Sequence, residues 1–152
     1  MHRRRFVAAL TLLTASACGG SDTGLAVGPG DSSGTFAAIA GTYTLRTVGG
    51  AAPPTIVEQT GSTTVEILAE SIRLEANGTW TMTTVRRTTT AAPSQPGGVT
   101  TSTLNVSDGG TFTRSGTAVT LTSAASGIAV SGTVANGRLT TTRFNTSLIY
   151  AM

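Results

Sequence analysis

The sequence predicts an all-β fold, an antiparallel up-and-down meander, and three observations carry that prediction. Eight strand-like runs, at about 41–48, 63–76, 79–90, 99–107, 110–115, 117–123, 127–135 and 138–145, are divided by turn residues. No stretch beyond the first eighteen residues has a convincing helical period. Threonine occurs 31 times, and its branched Cβ sits well on a pleated surface. Threonine also covers a solvated sheet face without charge, in a chain that has no lysine.

The turns can be tested against the alternation of apolar residues. At Glu75-Ala76-Asn77-Gly78-Thr79, a two-residue Asn-Gly turn would set Leu74 opposite Thr81 and mix apolar with polar side chains. A three-residue loop with Gly78 in the left-handed region sets Leu74 opposite Trp80 and Ile72 opposite Met82, so the apolar residues share a face. At Ala135-Asn136-Gly137-Arg138 a two-residue primed turn puts Val134 opposite Leu139. Ser115-Gly116 read the same way pairs Phe112 with Val119. One run changes phase: Val65, Ile67 and Ala69 are odd, whereas Ile72 and Leu74 are even. A bulge or sharp bend near Glu70-Ser71 would return both sets to one side. Long bent strands suit a sheet that closes on itself.

The beginning of the chain reads as an export signal. Arg3, Arg4 and Arg5 form a basic start, and Phe6 to Ala15 is an apolar run too short to span a bilayer. Ala15-Ser16-Ala17 then offers a small-x-small cleavage pattern before Cys18. Ordinary cleavage would leave Cys18 as a free terminal thiol. Read as a lipobox, Ala15-Ser16-Ala17-Cys18 resembles the signals of bacterial lipoproteins, with Ala15 where leucine is usual. That resemblance implies an acylated Cys18 and a membrane partner. The lipidated reading is preferred, because a lone exposed thiol is a liability in an oxidising compartment. Two or three acyl chains, at roughly 0.8 kcal/mol per buried methylene, anchor firmly. The expected organisation is a signal over 1–17, a lipidated terminus and flexible Gly/Ser tether over 18–38, and one β domain over 39–152. The expected location is the bacterial cell envelope, with the protein anchored at the outer membrane and facing the periplasm or the cell surface.

Composition excludes much chemistry. The formal charge of +3 includes the three signal arginines; the remaining seven arginines match seven acidic residues, so the mature part is neutral. No basic cluster with interleaved aromatics suggests a nucleic acid partner. Arg86-Arg87 is the one internal basic pair, read as a solvated edge. His2 is the sole histidine and Cys18 the sole cysteine, both at or before the processing point. The domain body therefore lacks the residues of His-based triads, cysteine nucleophiles, disulfides and common zinc sites. No cofactor, metal or catalytic residue is expected. Glu66 and Glu70 could resemble a glycosidase pair, but beside Arg73 they read as a solvated strand face. Asp108-Gly109-Gly110 reads as a turn rather than part of a calcium loop. Residues 88–98 read as a mobile loop, and Pro53-Pro54 as the start of a second irregular stretch.

Gly41-Thr42-Tyr43-Thr44-Leu45 resembles the Gly-x-Trp start of the first strand in lipocalins, with Tyr43 in the tryptophan position. Ile72 to Trp80 resembles the second hairpin of small bacterial lipocalin-like lipoproteins, and Gly110 to Leu121 a later one. The resemblance, spanning about 41–145, implies an eight-stranded barrel able to enclose one small hydrophobic ligand. Candidate interior or ligand-lining residues are Tyr43, Leu45, Ile67, Leu74, Trp80, Met82, Phe112, Val119, Leu121, Val130 and Leu139. They can line a cavity or simply fill the interior of a structural, envelope-interacting protein, and a β-sandwich could be built from the same hairpins. A monomer is expected.

Overall fold

The computed structural model describes residues 36–92 and 98–152, so the signal, Cys18 and most of the tether lie outside the described residues. Nine strands follow in order: β1 (Gly41–Val48), β2 (Thr55–Thr60), β3 (Thr63–Leu74), β4 (Thr79–Ala91), β5 (Val99–Ser115), β6 (Ala118–Ser123), β7 (Ala129–Ala135), β8 (Arg138–Arg143) and β9 (Thr146–Ala151). All paired neighbours are antiparallel. From β3 to β9 each strand pairs with the next, and β1 closes the ring by pairing with both β9 and β3. The result is an eight-stranded up-and-down closed barrel with one extra strand, which removes the sandwich alternative.

The closing strand differs from expectation. β1 pairs not with 138–145 but with β9, where Leu45 faces Tyr150 and Val48 faces Leu148. Leu148 and Tyr150 are fully buried and alternate with the less buried Ser147, Ile149 and Ala151, so this six-residue run is a genuine barrel strand. β1 also shifts register between Leu45 and Thr47. It leaves β3 at Thr44 and crosses to β9, and β2 then takes over pairing along the first half of β3. The stretch after Pro53-Pro54 is thus partly strand. Likewise β4 reaches Ala91 and β5 starts at Val99, so the expected 88–98 loop is shorter; residues 93–97 lie outside the described ones.

Asp108-Gly109-Gly110 lies inside one continuous seventeen-residue strand, not at a turn between two. Before Gly110, β5 pairs with β4 alone; from Gly110 onward it also pairs with β6. A Cβ on Gly110 would sit 2.0 Å from the Thr122 carbonyl oxygen. Glycine is therefore what lets β5 bend and β6 approach.

Two of the tested turns have the expected register. Leu74 faces Trp80 and Ile72 faces Met82, with Gly78 at φ 82°. Val134 faces Leu139 across Asn136-Gly137, both at positive φ. The third turn is centred on Gly116-Thr117, so Phe112 faces Leu121 and Val119 faces Arg114. That slip moves each partner by two positions, which leaves inward residues inward.

The hairpins after β3, β5 and β7 gather at one end, which is packed shut. A helical turn at 36–39 lies across it. Phe36 meets Phe112 edge to face at 4.8 Å, and the Tyr43 hydroxyl donates to the Ile39 carbonyl at 2.8 Å. The apolar core includes Tyr43, Leu74, Phe112, Val119 and Leu139 in this half and continues through Ile67, Val48 and Leu148 toward the other end.

Candidate functional site at the open end

The opposite end is built differently, and the cause is one bulge. β3 shifts register between Ile67 and Ala69, about three residues before the expected bend, so Leu68 is the extra residue. Ile67 stays inside, Ala69 is exposed, and Glu70, Ile72 and Leu74 all turn inward. Glu70 is only 3% exposed. It is not on a solvated face. Glu66 remains on the outer face, where Arg87 Nε donates to its carboxylate at 2.6 Å and holds its pKa below the usual range. The two glutamates therefore point to opposite sides of the sheet.

A buried carboxylate needs partners for every lone pair it exposes to the interior. Glu70 Oε1 accepts hydrogen bonds from Arg143 Nη2 and from the Tyr150 hydroxyl. Thr84 Oγ1 donates to Oε2 at 2.7 Å. Arg143 Nη2 also reaches the Tyr150 oxygen at 2.6 Å, while Nη1 points at the Met82 sulfur at 3.3 Å, a weak acceptor. Three strands beyond β3, namely β4, β8 and β9, thus converge on one carboxylate. Burial alone would lower the Arg143 pKa, but Tyr150 and Glu70 outweigh it and the net direction is upward. Burial pushes the Tyr150 phenol well above its ordinary value, and burial also raises Tyr43.

These shifts give a pH prediction. Tyr43 and Tyr150 are the only tyrosines in the chain. In the folded protein both phenols ionise at higher pH than in the unfolded chain, which titrates near 10. The contribution of both to stability is present in full below about pH 10 and is lost as the pH rises through the raised folded values. Phenolate absorbance should rise at higher pH in the folded protein than in the urea-unfolded chain; coincident titration of both phenols near 10 with the fold intact contradicts the geometry.

Beside this cluster the barrel is hollow. One lobe of about 140 Å³ has Trp80, Leu121 and Val130 among its walls. A second of about 310 Å³ includes Glu70, Thr84, Arg86 and Phe144. Met82, Asp108, Ser123, Ser126 and Arg143 border both lobes, so the spaces adjoin. An apolar cavity near 150 Å³ takes a benzene-sized group, so the first lobe is more than a packing defect. The Trp80 indole is fixed by hydrogen bonds to the carbonyls of Thr111 at 3.0 Å and Thr122 at 3.2 Å. Asp108 Oδ1 accepts from Gly109 N at 2.7 Å and Ser123 Oγ at 2.9 Å, which ties β5 to the β6 end.

The mouth carries exposed apolar residues. Ile128 borders the first lobe and Phe144 the second, and both are more than half exposed. Phe144 and Asn145 form the β8–β9 turn, both at positive φ. Such a turn favours Asn or Gly first. A phenylalanine there is held in a disfavoured conformation, with its ring presented at the rim.

Of the residues expected inside, nine are buried: Tyr43, Leu45, Ile67, Leu74, Trp80, Phe112, Val119, Leu121 and Leu139. Met82 and Val130 are half-buried. Trp80, Leu121 and Val130 border the smaller lobe, Ile67 the larger, and Met82 both. Leu45, Leu74, Phe112, Val119 and Leu139 border neither lobe, and Tyr43 borders only a separate depression of about 310 Å³ at the opposite end, between the helical turn and the Asn136-Gly137 hairpin. The polar residues Glu70, Thr84, Arg86, Asp108, Arg143 and Tyr150 were not among the expected interior set. Among the described residues no group of acidic, His or Cys side chains could hold a metal ion.

Fold and site together define a closed antiparallel barrel, apolar and packed at one end, hollow and amphipathic at the other. Comparison with protein-family models, with curated proteins and with solved structures gives no match to this chain.

Proposed function

We propose that this chain is a membrane-anchored, non-catalytic lipoprotein of the bacterial cell envelope whose lipocalin-like barrel binds a small hydrophobic ligand. The observation that carries the binding half is the hollow beside Trp80, Leu121 and Val130 in a barrel whose other end is well packed. A solid structural barrel would carry side chains through the space that these three residues border. Concave, mostly apolar space with a few convergent polar groups is the usual form of a ligand site. The anchoring half rests on the sequence alone: the basic start, the apolar run and Ala15-Ser16-Ala17-Cys18. The folded domain then stands off the membrane on the Gly/Ser tether.

One measurement addresses both halves. Protein extracted in mild detergent from its own host is weighed intact, first under native and then under denaturing conditions. The denatured mass should exceed that of the chain from Cys18 to Met152 by acyl groups, and the native mass should exceed the denatured mass by a small ligand. A bare terminus removes the anchor. Consistently equal masses remove the ligand, leaving a structural or envelope-interaction role.

A further inference from the structure

We propose that the ligand is an anionic amphiphile, with its charged head on Arg86 and its apolar part on Trp80, Leu121 and Val130. This rests on the binding reading and assigns the chemistry of the same cavity.

The inference follows from which charges at the mouth are already satisfied. Glu70 is sealed by three donors, Arg143, Tyr150 and Thr84. Arg143 has spent Nη2 on that carboxylate and the phenol oxygen. Its Nη1 faces only a thioether sulfur, so donor capacity remains on the side of the cavity that both lobes share. Asp108 uses Oδ1 to brace Gly109 and Ser123. Arg86 is different. It lies on β4 opposite Ile67 and Leu104, with its side chain on the inward face. It borders the 310 Å³ lobe and is half-buried. Among the described residues its guanidinium has no hydrogen-bond or ion-pair partner. Its neighbour Arg87 points to the other face and is paired with Glu66.

A guanidinium presents a fork of donors that fits two oxygens of a carboxylate or a phosphate. It sits in the more polar of the two lobes, and the other begins at the residues that both share. A ligand filling both must therefore carry an anionic group at one end and a compact apolar group at the other. Asp108 at the junction repels an anionic head, which places that head at the Arg86 side of the larger lobe.

Trp80 is the sole tryptophan and borders the apolar lobe, so its emission reports occupancy. The domain is titrated with octanoate, octyl phosphate, octanol and octylamine, which share one tail. At least one of the two anions should bind about tenfold or more tighter than octanol and octylamine. The stronger anion identifies the head as carboxylate or phosphate. Arg86→Gln should erase that advantage while leaving octanol affinity and the urea midpoint unchanged. Equal binding of anions and octanol, tighter binding of octylamine, or an anion preference that survives Arg86→Gln overturns the inference and leaves the binding reading intact. Failure of all four probes to perturb Trp80 overturns both.

Discussion

Glu70→Ala is expected to destabilise the barrel by about 3–5 kcal/mol, read as a lower urea midpoint with an unchanged slope. The size comes from what is left behind. Without Glu70, the Arg143 guanidinium keeps its charge in an interior where its remaining neighbours are a phenol and a thioether. The side chain of Arg143 is only 17% exposed, and water entering from the adjoining lobe can hydrate its charge but not neutralise it. Tyr150 and Thr84 also lose their shared acceptor. The same reasoning predicts the double variant Glu70→Leu, Arg143→Met to cost much less than Glu70→Ala, because no unpaired buried charge remains. If Glu70→Ala unfolds within 1 kcal/mol of the parent, the cluster is solvated and this account is wrong. The double variant separates loss of volume from loss of charge pairing.

Gly110→Ala should cost about 3 kcal/mol and loosen the β5–β6 seam. The new methyl would lie 2.0 Å from the Thr122 carbonyl oxygen and 2.8 Å from the Ala124 nitrogen, both backbone atoms. No side chain can swing aside to admit it. The strands must part, and the hydrogen bond from Ala124 N to the Gly109 carbonyl, 2.9 Å long, lies in the path. Trp80 also donates to Thr122 O, so its emission should shift with the unfolding midpoint. Gly109→Ala should cost less, since its methyl would meet the Trp80 carbonyl oxygen at 2.9 Å. Equal stability of Gly110→Ala and the parent would mean that β5 does not bend where the glycines lie.

These two positions also mark where reading the chain by eye stops. Alternation and turn chemistry are local properties. They placed the hairpin at Asn77-Gly78 and the one at Asn136-Gly137, because each needs only a few neighbouring residues to agree on a face. They placed most of the apolar interior for the same reason: a one-residue slip would expose Leu74, Trp80 and Leu139 together. The phase change in β3 was also legible, as was the need for a bulge. Its position was not. A bulge at Leu68 or at Glu70-Ser71 keeps Ile67, Ile72 and Leu74 inside equally well. The two choices differ in the fate of Glu70, and nothing within β3 decides it. Arg143 and Tyr150, from strands more than seventy positions later in the chain, do.

The remaining differences have the same origin. Asp108-Gly109-Gly110 has turn-forming residues, yet those glycines serve a close strand crossing that only the partner β6 imposes. Arg86-Arg87 reads as a solvated edge, yet neighbours on a strand face opposite sides, so one pairs with Glu66 on the outer face and the other lines the cavity. β2 and β9 carry their apolar residues consecutively, Ile56-Val57 and Leu148-Ile149-Tyr150, so neither shows the two-residue period that marks β6.

The sequence by itself determined the all-β class, the antiparallel meander, two turn registers and most of the buried apolar residues, because these follow from the two-residue period of a strand and the backbone demands of glycine and asparagine. It also supplied the whole case for export and for acylation of Cys18, which no part of the folded domain addresses. Only the tertiary structure decided that the sheet closes through β1 and β9, that Glu70 faces inward, and that the barrel is packed at one end and hollow at the other. Closure and polar burial depend on groups far apart in the chain meeting at hydrogen-bond distance, and a buried charge is stable only where its partners arrive.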